Sequence, residues 1–224
     1  LTSWGRLYKS TTTLEMFPRG DVLKGYDHYL AVGSCRSYGD VCLNTDSQVF
    51  KMASLGYFLN FDEDTGILEC EAGVTLKQIQ DVFLPRGWIL PVTPGTQLIT
   101  VGGAIANDIH GKNHHVYGSF GHHILEIELI HSQLGKVICS RQQNADMFRA
   151  TVGGIGLTGV IVKAKIQLKK VESEFVKVEY IPFRGLQHFM DLTHQSNDDW
   201  EYTVSWIDCL SGKNVRGIFM RANH

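Results

Sequence analysis

Alternating apolar and polar positions predict several β-strands along the chain. The clearest runs over 160–169, where every second residue is apolar and the residues between are lysine or glutamine, apart from Ile161 near its start. Similar alternation predicts strands at 66–72 and 124–131. A turn at 133–135 then predicts a return strand over 136–140. Short apolar runs predict further strands at 28–32, 88–92 and 202–209.

Two segments have the pattern of helices. Over 74–87, Leu76, Ile79 and Phe83 share one face, and Gly87 stands where a glycine commonly ends a helix. The second predicted helix covers 144–151. Because helices and short strands mix without a regular βαβ rhythm, the sequence predicts the α+β class.

Composition and charge exclude several classes of protein. Hydrophobic residues make up 43% and charged residues 20%, which is typical of a globular chain. The net charge is −2 and no Lys/Arg-rich run occurs, so a general duplex nucleic-acid binder is excluded. No stretch approaches ~18 apolar residues, so no transmembrane helix is predicted. The five cysteines include no CxxC pair, which predicts free thiols.

The segment 154–159 has the GxGxxG spacing of dinucleotide-binding turns. In those turns a strand precedes the glycines and a helix follows, so that the helix N-terminus meets the pyrophosphate. Here the predicted helix comes first and the strongest strand follows. The sequence therefore predicts a tight helix-to-strand connection with a closely packed backbone, and not a Rossmann turn.

Two glycine-rich segments carry the candidate binding chemistry. The loop GSCRSYGD at 33–40 follows an apolar strand, and its N–H groups could form a nest around a phosphate. A plain surface loop has the same composition, so both interpretations stay open. The segment 91–115 combines threonine donors, paired glycines and a dense group of ionisable residues.

Metal binding is an alternative use of the histidines, six of which lie between His110 and His131. The spacing of His110 and His114 suits zinc on a helix, but Gly111 between them argues against a regular helix. The possible ligands are His110, His114, His115, His122 and His123. The sequence favours no metal site.

These segments resemble a known class of flavoproteins. The loop at 33–40 is similar to the pyrophosphate loop of the vanillyl-alcohol-oxidase/PCMH class of FAD enzymes. Within that class, the chain resembles the decaprenylphosphoryl-β-D-ribose 2-oxidase family over nearly its whole length. The resemblance is carried by Trp4-Gly5-Arg6, PVTPGTQLITVGGAIANDIHGKNHHVYGSFG at 91–121, ATVGGIGLTGVI at 150–161 and YTVSWIDCLSG at 202–212.

The resemblance implies a PCMH-type two-lobed FAD-binding domain followed by the first strands of a truncated substrate domain. Residues 1–55 are expected to form the first lobe, 56–172 the second, and 173–224 the start of an incomplete substrate domain. The segment between Trp4 and Leu30 is shorter than usual, which implies a shortened helix in the first lobe.

The resemblance also implies site residues. Lys112 and His110 are the expected catalytic residues, and Lys112 and Trp206 are expected in the substrate pocket. Arg36 stands where covalent relatives carry the flavin-linking histidine, which implies non-covalent FAD. The expected FAD contacts are Ala31, Val32, Gly33, Ser34, Cys35, Arg36, Ser37, Tyr38, Gly39, Asp40, Val41, Gly95, Thr96, Thr100, Val101, Gly102, Gly103, Asn107, Asp108, Ile109, His110 and Ile161.

The implied reaction is oxidation of a secondary hydroxyl of a lipid-phosphate-linked pentose to a ketone, with hydride transfer to flavin N5. It would belong to a 2-epimerisation pathway for cell-wall precursors, with a short-chain reductase as partner. The implied location is the cytoplasm or the periphery of a bacterial inner membrane. Two alternatives stay open: a soluble alditol or lactone oxidase or dehydrogenase of the same fold, and a non-catalytic FAD-binding module. With half of its pocket absent, the chain alone is expected to be inactive.

Overall fold

The structure, a computed structural model, describes residues 1–18, 28–212 and 215–224. In chain order the strands are β1 (Thr13–Met16), β2 (Tyr29–Val32), β3 (Gln48–Lys51), β4 (Phe58–Asp62), β5 (Ile67–Glu71), β6 (Trp88–Ile89), β7 (Ile124–His131), β8 (Gly135–Ser140), β9 (Val160–Gln167), β10 (Lys169–Lys170), β11 (Lys177–Arg184), β12 (Tyr202–Ile207) and β13 (Arg216–Asn223). The α-helices are α1 (Leu76–Phe83), α2 (Val101–Ala106), α3 (His114–Tyr117), α4 (Ala145–Thr151) and α5 (Leu186–Ser196). The expected shortened helix between Trp4 and Leu30 falls partly on residues 19–27, outside the described residues.

The strands form three main sheets. A parallel sheet has the order β1-β3-β2, an antiparallel five-stranded sheet has the order β4-β5-β9-β7-β8, and an antiparallel sheet has the order β11-β13-β12. The short strands β6 and β10 pair with each other. Mixed helices and strands agree with the predicted α+β class. Each of the three expected parts contains one of the three main sheets, and the division into domains stays a prediction.

The five-stranded sheet and α1 enclose the largest core. On α1, Leu76, Ile79 and Phe83 are buried against it, which confirms the predicted helix face. A capping box between Thr75 and Gln78 starts this helix, and Gly87, at a φ of 79°, ends the 3₁₀ turn that follows. In the described part of the chain, no helix has both the length and the apolar character to cross a bilayer.

Four predicted strands differ in detail from the structure. The run at 88–92 supplies only the two-residue strand β6, β9 ends at Gln167 instead of 169, and β12 ends at Ile207 instead of 209. In β7 the register shifts between Ile124 and Glu126, so Ile124 is fully buried and Leu125 only partly. An irregularity of this kind offsets the alternation by one residue, which a pattern of period two does not anticipate.

Gly66 is the tightest point of the hairpin between β4 and β5. Its φ is +72°, and a Cβ there would lie 2.1 Å from the Trp88 ring. Gly66→Ala is expected to lower the free energy of unfolding by about 2–5 kcal/mol, since ~1–2 kcal/mol of left-handed strain adds to ~1–3 kcal/mol of overpacking. Urea unfolding measures this loss.

Gly135→Ala is the matched control for Gly66→Ala. Gly135 also has a positive φ, +68°, but a Cβ there would meet no atom within 4 Å. The free energy of unfolding of this variant should therefore fall only by the ~1–2 kcal/mol of left-handed strain. Equal losses in the two variants would contradict the packing argument.

Candidate functional site

A cavity of about 740 Å³ is formed by segments that are distant in sequence. Its walls come mainly from residues 30–42 after β2, from residues 94–109 around α2, and from residues 155–161 before β9. Trp4 adds a further part of the wall, and its ring packs against that of Tyr38 at 5.0 Å. The fold thus gathers all three glycine-rich segments around one space.

The loop after β2 presents unpaired backbone donors at this cavity. Within the described chain, none of the N–H groups of residues 33–41 donates a hydrogen bond. Arg36 in the same loop has an exposed side chain and adds positive charge. Free N–H groups and a cation on a concave loop form a site for an anion.

The N-terminus of α2, by contrast, has its donors satisfied inside the protein. Thr100 Oγ1 accepts a hydrogen bond from the N–H of Gly103 at 3.2 Å. The N–H groups of Val101 and Gly102 donate to the carbonyls of Val74 and Ala72, both at 2.8 Å. The available anion donors therefore belong to the loop 33–41.

Gly33 and the side chain of Thr100 are in close contact where two walls of the cavity meet. A Cβ at Gly33 would lie 2.2 Å from Thr100 Oγ1, so only glycine allows this approach. The same Oγ1 caps the N-terminus of α2. The contact between Gly33 and Thr100 therefore fixes the loop 33–41 against α2, which forms the next wall.

The GxGxxG segment supplies the third wall. It follows α4 and precedes β9, so the predicted helix-to-strand order is confirmed. Ile155 adopts a φ of 56°, and its N–H donates to the carbonyl of Ala106 at 2.8 Å. This contact places Ile155 and Gly156 at the cavity. Sequence reasoning named only Ile161 here, although the closely spaced glycines were a signal for the others.

Most of the expected FAD contacts line this cavity. They are Ala31, Val32, Gly33, Ser34, Cys35, Arg36, Ser37, Tyr38, Gly39, Val41, Gly95, Thr96, Thr100, Gly102, Gly103, Asn107, Ile109 and Ile161. Lining residues outside the expected contacts are Trp4, Leu30, Cys42, Met52, Ala72, Pro94, Ile99, Ala106, Ile155, Gly156 and Gly159. Many of these are apolar, and nothing in a single sequence separates them from core residues.

Four expected contacts lie outside the lining: Asp40, Val101, Asp108 and His110. Val101 is fully buried in the core. Asp108 accepts a hydrogen bond from the N–H of Gly121 at 2.8 Å, and the carbonyl of Asp40 accepts one from Leu43 at 2.7 Å. Both aspartates therefore hold local structure.

His110 and Lys112 lie on the loop after α2, and both side chains are exposed. The loop is fixed by Asn113, which is 1% exposed and donates from Nδ2 to the carbonyl of Pro91 at 2.7 Å. His110 forms an isolated backbone bridge with Ser119. The loop is thus held by its backbone and by Asn113, while both expected catalytic side chains face outward.

The sheet β11-β13-β12 contacts the loop that carries Lys112. The N–H of Thr203 donates to the carbonyl of Lys112 at 2.9 Å. Lys169 forms an ion pair with Glu201, and their side chains are only 19% and 12% exposed. Burial, followed by the neighbouring Glu201, raises the pKa of Tyr202. The start of β12 is therefore packed firmly against the Lys112 loop.

Trp206 lies further along β12 and does not reach the 740 Å³ cavity. Its side chain is 61% exposed and stands beside Ile218 in the strand register. Ile218 is in turn paired with Pro182, and the three line a separate cavity of about 540 Å³. The structure thus brings the backbone of β12 to Lys112 but leaves the Trp206 ring on an exposed apolar face.

The side chains of the histidines between 110 and 131 do not converge, and they contact different groups. His115 Nε2 contacts the carbonyl of Trp200 at 2.9 Å, and His123 Nε2 that of Tyr117 at 3.0 Å. Burial lowers the pKa of His123. Across residues 1–18, 28–212 and 215–224, no group of three His, Cys, Asp or Glu side chains is placed to hold a metal ion.

Comparison with known protein families agrees with the chemistry of the cavity. The FAD binding domain family matches residues 26–141, slightly more than half of the chain. The chain belongs to this family of FAD-dependent oxidoreductases. FAD is therefore the cofactor of this domain, and the matched region contains the loop 33–41 and α2 with its following loop.

Three relatives show how far the similarity extends. Decaprenylphosphoryl-beta-D-ribose oxidase of Mycolicibacterium smegmatis is 39% identical over 189 residues, 81% of this chain and 40% of that protein. Delta(24)-sterol reductase of Homo sapiens is 32% identical over 157 residues, 70% of this chain and 30% of that protein. Putative D-arabinono-1,4-lactone oxidase of Neurospora crassa is 27% identical over 119 residues, 53% of this chain and 21% of that protein. The chain spans less than half the length of each relative.

Proposed function

We propose that this chain is the FAD-binding part of an enzyme that oxidises a secondary hydroxyl of a lipid-phosphate-linked pentose to a ketone. The observation that carries the proposal is the cavity, with N–H groups at 33–41 that no described residue accepts and with the close approach of Gly33 to Thr100. The name of the 39%-identical oxidase supports the substrate class. The oxidation would be one step of a 2-epimerisation in cell-wall precursor synthesis.

The chemistry of the cavity walls fits FAD. The loop 33–41 would hold the diphosphate, because it offers backbone donors and Arg36 without a carboxylate in the lining. The walls from 94–109 and 155–161 carry Ile99, Ile109 and Ile155, which would pack against the ring system. When bound, FAD supplies the hydride acceptor of the reaction.

The expected catalytic residues would act from the loop that Asn113 fixes. The Lys112 ammonium would stabilise negative charge on the substrate oxygen as its proton leaves. His110 would take up or relay that proton. Trp206 and the apolar face around it would form a substrate wall contributed by the third part, residues 173–224.

A ketone product needs a second reaction if the outcome is epimerisation. A reductase that returns the carbonyl to a hydroxyl of opposite configuration is therefore the proposed partner, in line with the expected short-chain reductase. A lipid-linked substrate also favours a peripheral membrane contact, because its chain stays in the bilayer.

The second candidate function is oxidation of a soluble alditol or lactone on the same fold. The similarity to a putative lactone oxidase supports it. Anaerobic flavin bleaching in the full-length protein separates the two candidates. Bleaching by a prenyl-phosphate pentose and not by alditols or lactones supports the first, and the reverse supports the second. Bleaching by neither class supports the non-catalytic module.

The cofactor itself is tested on the purified chain. We expect a visible flavin spectrum, and we expect the flavin to pass into the filtrate after denaturation, since Arg36 cannot form the histidyl link of covalent relatives. Flavin that stays with the denatured protein would contradict non-covalent binding. A colourless chain that added FAD does not stabilise thermally would contradict FAD binding by this chain alone.

A further inference from the structure

A buried ion pair joins two parts of the chain beside the loop that carries Lys112. The ammonium of Lys169, in β10, pairs with the carboxylate of Glu201, just before β12, and the two side chains are only 19% and 12% exposed. We propose that Lys169 and Glu201 are positioning residues that hold Lys112 in place for the oxidation. The inference rests on the proposed function, because it takes Lys112 as a catalytic residue.

Glu201 acts on the Lys112 loop through the backbone of β12. It stands two residues before Thr203, whose N–H donates to the carbonyl of Lys112 at 2.9 Å. The N–H of Glu201 donates to Asn223 Oδ1 at 2.6 Å, so this residue is also fixed to β13. Because one residue separates Glu201 from Thr203, a shift of Glu201 would displace the N–H that holds Lys112.

Lys169 contacts the segment that follows Lys112 in the chain. Its ammonium lies over the ring of Tyr117, at 5.0 Å from the ring centre, and Tyr117 is the last residue of α3. A cation in this position is attracted to the face of an aromatic ring. One ammonium group thus contacts both the helix after Lys112 and the strand beside it.

The ion pair fixes a geometry more than it adds stability. Two apolar side chains of similar volume often serve the stability of a protein as well as a buried ion pair does. Glu201 is also incompletely paired, because its Oε1 is buried and accepts no hydrogen bond from the described residues. Loss of one partner is different, because it leaves the other charge buried without compensation. The pair therefore constrains where the start of β12 can lie.

A small displacement of Lys112 is expected to slow the reaction. Without the charge of Glu201, the buried ammonium of Lys169 has lost its carboxylate, and the start of β12 should move. Misplacement of a catalytic group by ~1 Å can lower a rate by about 10²-fold. FAD should stay bound, because neither Lys169 nor Glu201 lines the 740 Å³ cavity.

The test is turnover of the full-length protein with a prenyl-phosphate pentose, measured as kcat and KM. Glu201→Gln keeps the shape of the side chain without its charge, and kcat is expected to fall at least about tenfold, with KM and flavin content little changed. Lys169→Met should have the same effect, whereas Lys169→Arg keeps the cation and should keep most of kcat. Glu128→Gln is the matched control, since Glu128 is 15% exposed and pairs with Lys163 at 3.3 Å within the five-stranded sheet. Its kcat should equal that of the parent protein.

A double variant separates positioning from a general structural effect. In a Lys112→Ala background, Glu201→Gln should lower kcat no further, because Glu201 acts through Lys112 and the two losses are not additive. A further tenfold loss in that background would overturn the positioning role. An unchanged kcat in both Glu201→Gln and Lys169→Met would overturn it as well.

Hydrogen exchange distinguishes a failure of this inference from a failure of the proposed function. In the FAD-loaded chain, Glu201→Gln should speed amide exchange at Thr203 at least about tenfold, whereas Glu128→Gln should leave it unchanged. Unchanged exchange at Thr203 in Glu201→Gln would overturn the positioning role whatever the substrate. A full-length protein that oxidises no prenyl-phosphate pentose, with faster exchange at Thr203 in the variant, would overturn the proposed function instead.

Discussion

Gly33→Val is expected to weaken FAD binding by about 5- to 150-fold while the chain stays folded. A Cβ at this position would lie 2.2 Å from Thr100 Oγ1 and 3.1 Å from Thr100 Cγ2, so the donor loop or the Thr100 cap has to move. Overpacking of this kind costs ~1–3 kcal/mol, and each ~1.4 kcal/mol taken from binding is a factor of ten. Titration of the apoprotein with FAD, followed by flavin fluorescence, measures the affinity.

Gly39→Ala is the control for this prediction. Gly39 lies in the same loop and lines the same cavity, but a Cβ there would meet no protein atom within 4 Å. This variant is expected to keep most of the affinity, and circular dichroism should show both variants folded. If Gly33→Val binds FAD with the affinity of the parent chain, the close contact between Gly33 and Thr100 is not needed for FAD binding.

Lys112→Ala is expected to reduce turnover of the full-length protein by about 10²–10³-fold and to leave FAD bound. The proposed role is stabilisation of charge on the substrate oxygen, and loss of one such donor has an effect of about this size. FAD should be retained because Lys112 is outside the cavity lining and its loop is held through Asn113 and the backbone contact to Thr203. The measurement is kcat together with the flavin content of each preparation.

Lys177→Ala is the control for Lys112→Ala, since Lys177 is an exposed lysine at the start of β11 that lines neither cavity and has no assigned catalytic role. Its turnover should stay close to that of the parent protein. Unchanged turnover in Lys112→Ala would remove the catalytic assignment. Loss of flavin in that variant would instead show that the residue supports the cofactor site.

Periodicity predicted individual elements because it reports which side of a segment is buried. The face of α1, the hairpin of β7 and β8, and the order of α4 and β9 around the GxGxxG segment were all predicted from the sequence. Four strands differ in detail from the periodicity-based prediction. The register shift in β7 and the short β6 depend on how neighbouring strands pair, and a single strand's pattern does not contain that information.

In the loop at 33–40, too, some features could be inferred from the sequence and others depend on tertiary contacts. Its glycines, serines and arginine fitted either an anion loop or a plain surface loop, the resemblance implied FAD, and the family comparison agrees with FAD. Only the tertiary hydrogen bonds show that no described residue accepts its N–H groups, whereas the first N–H groups of α2 donate to Val74, Ala72 and Thr100. Residues that line the cavity with apolar side chains, such as Ile155, were missed because burial by a ligand and burial by the core have the same sequence pattern.

By itself, the sequence determined the α+β class, most of the secondary structure and the membership of an FAD-binding family, because these depend on local pattern and on contiguous motifs. Tertiary structure alone decided that 30–42, 94–109 and 155–161 share one cavity. It also placed Trp206 away from that cavity. These facts depend on which sheets and loops pack together, and packing is a property of the whole chain that no single segment encodes.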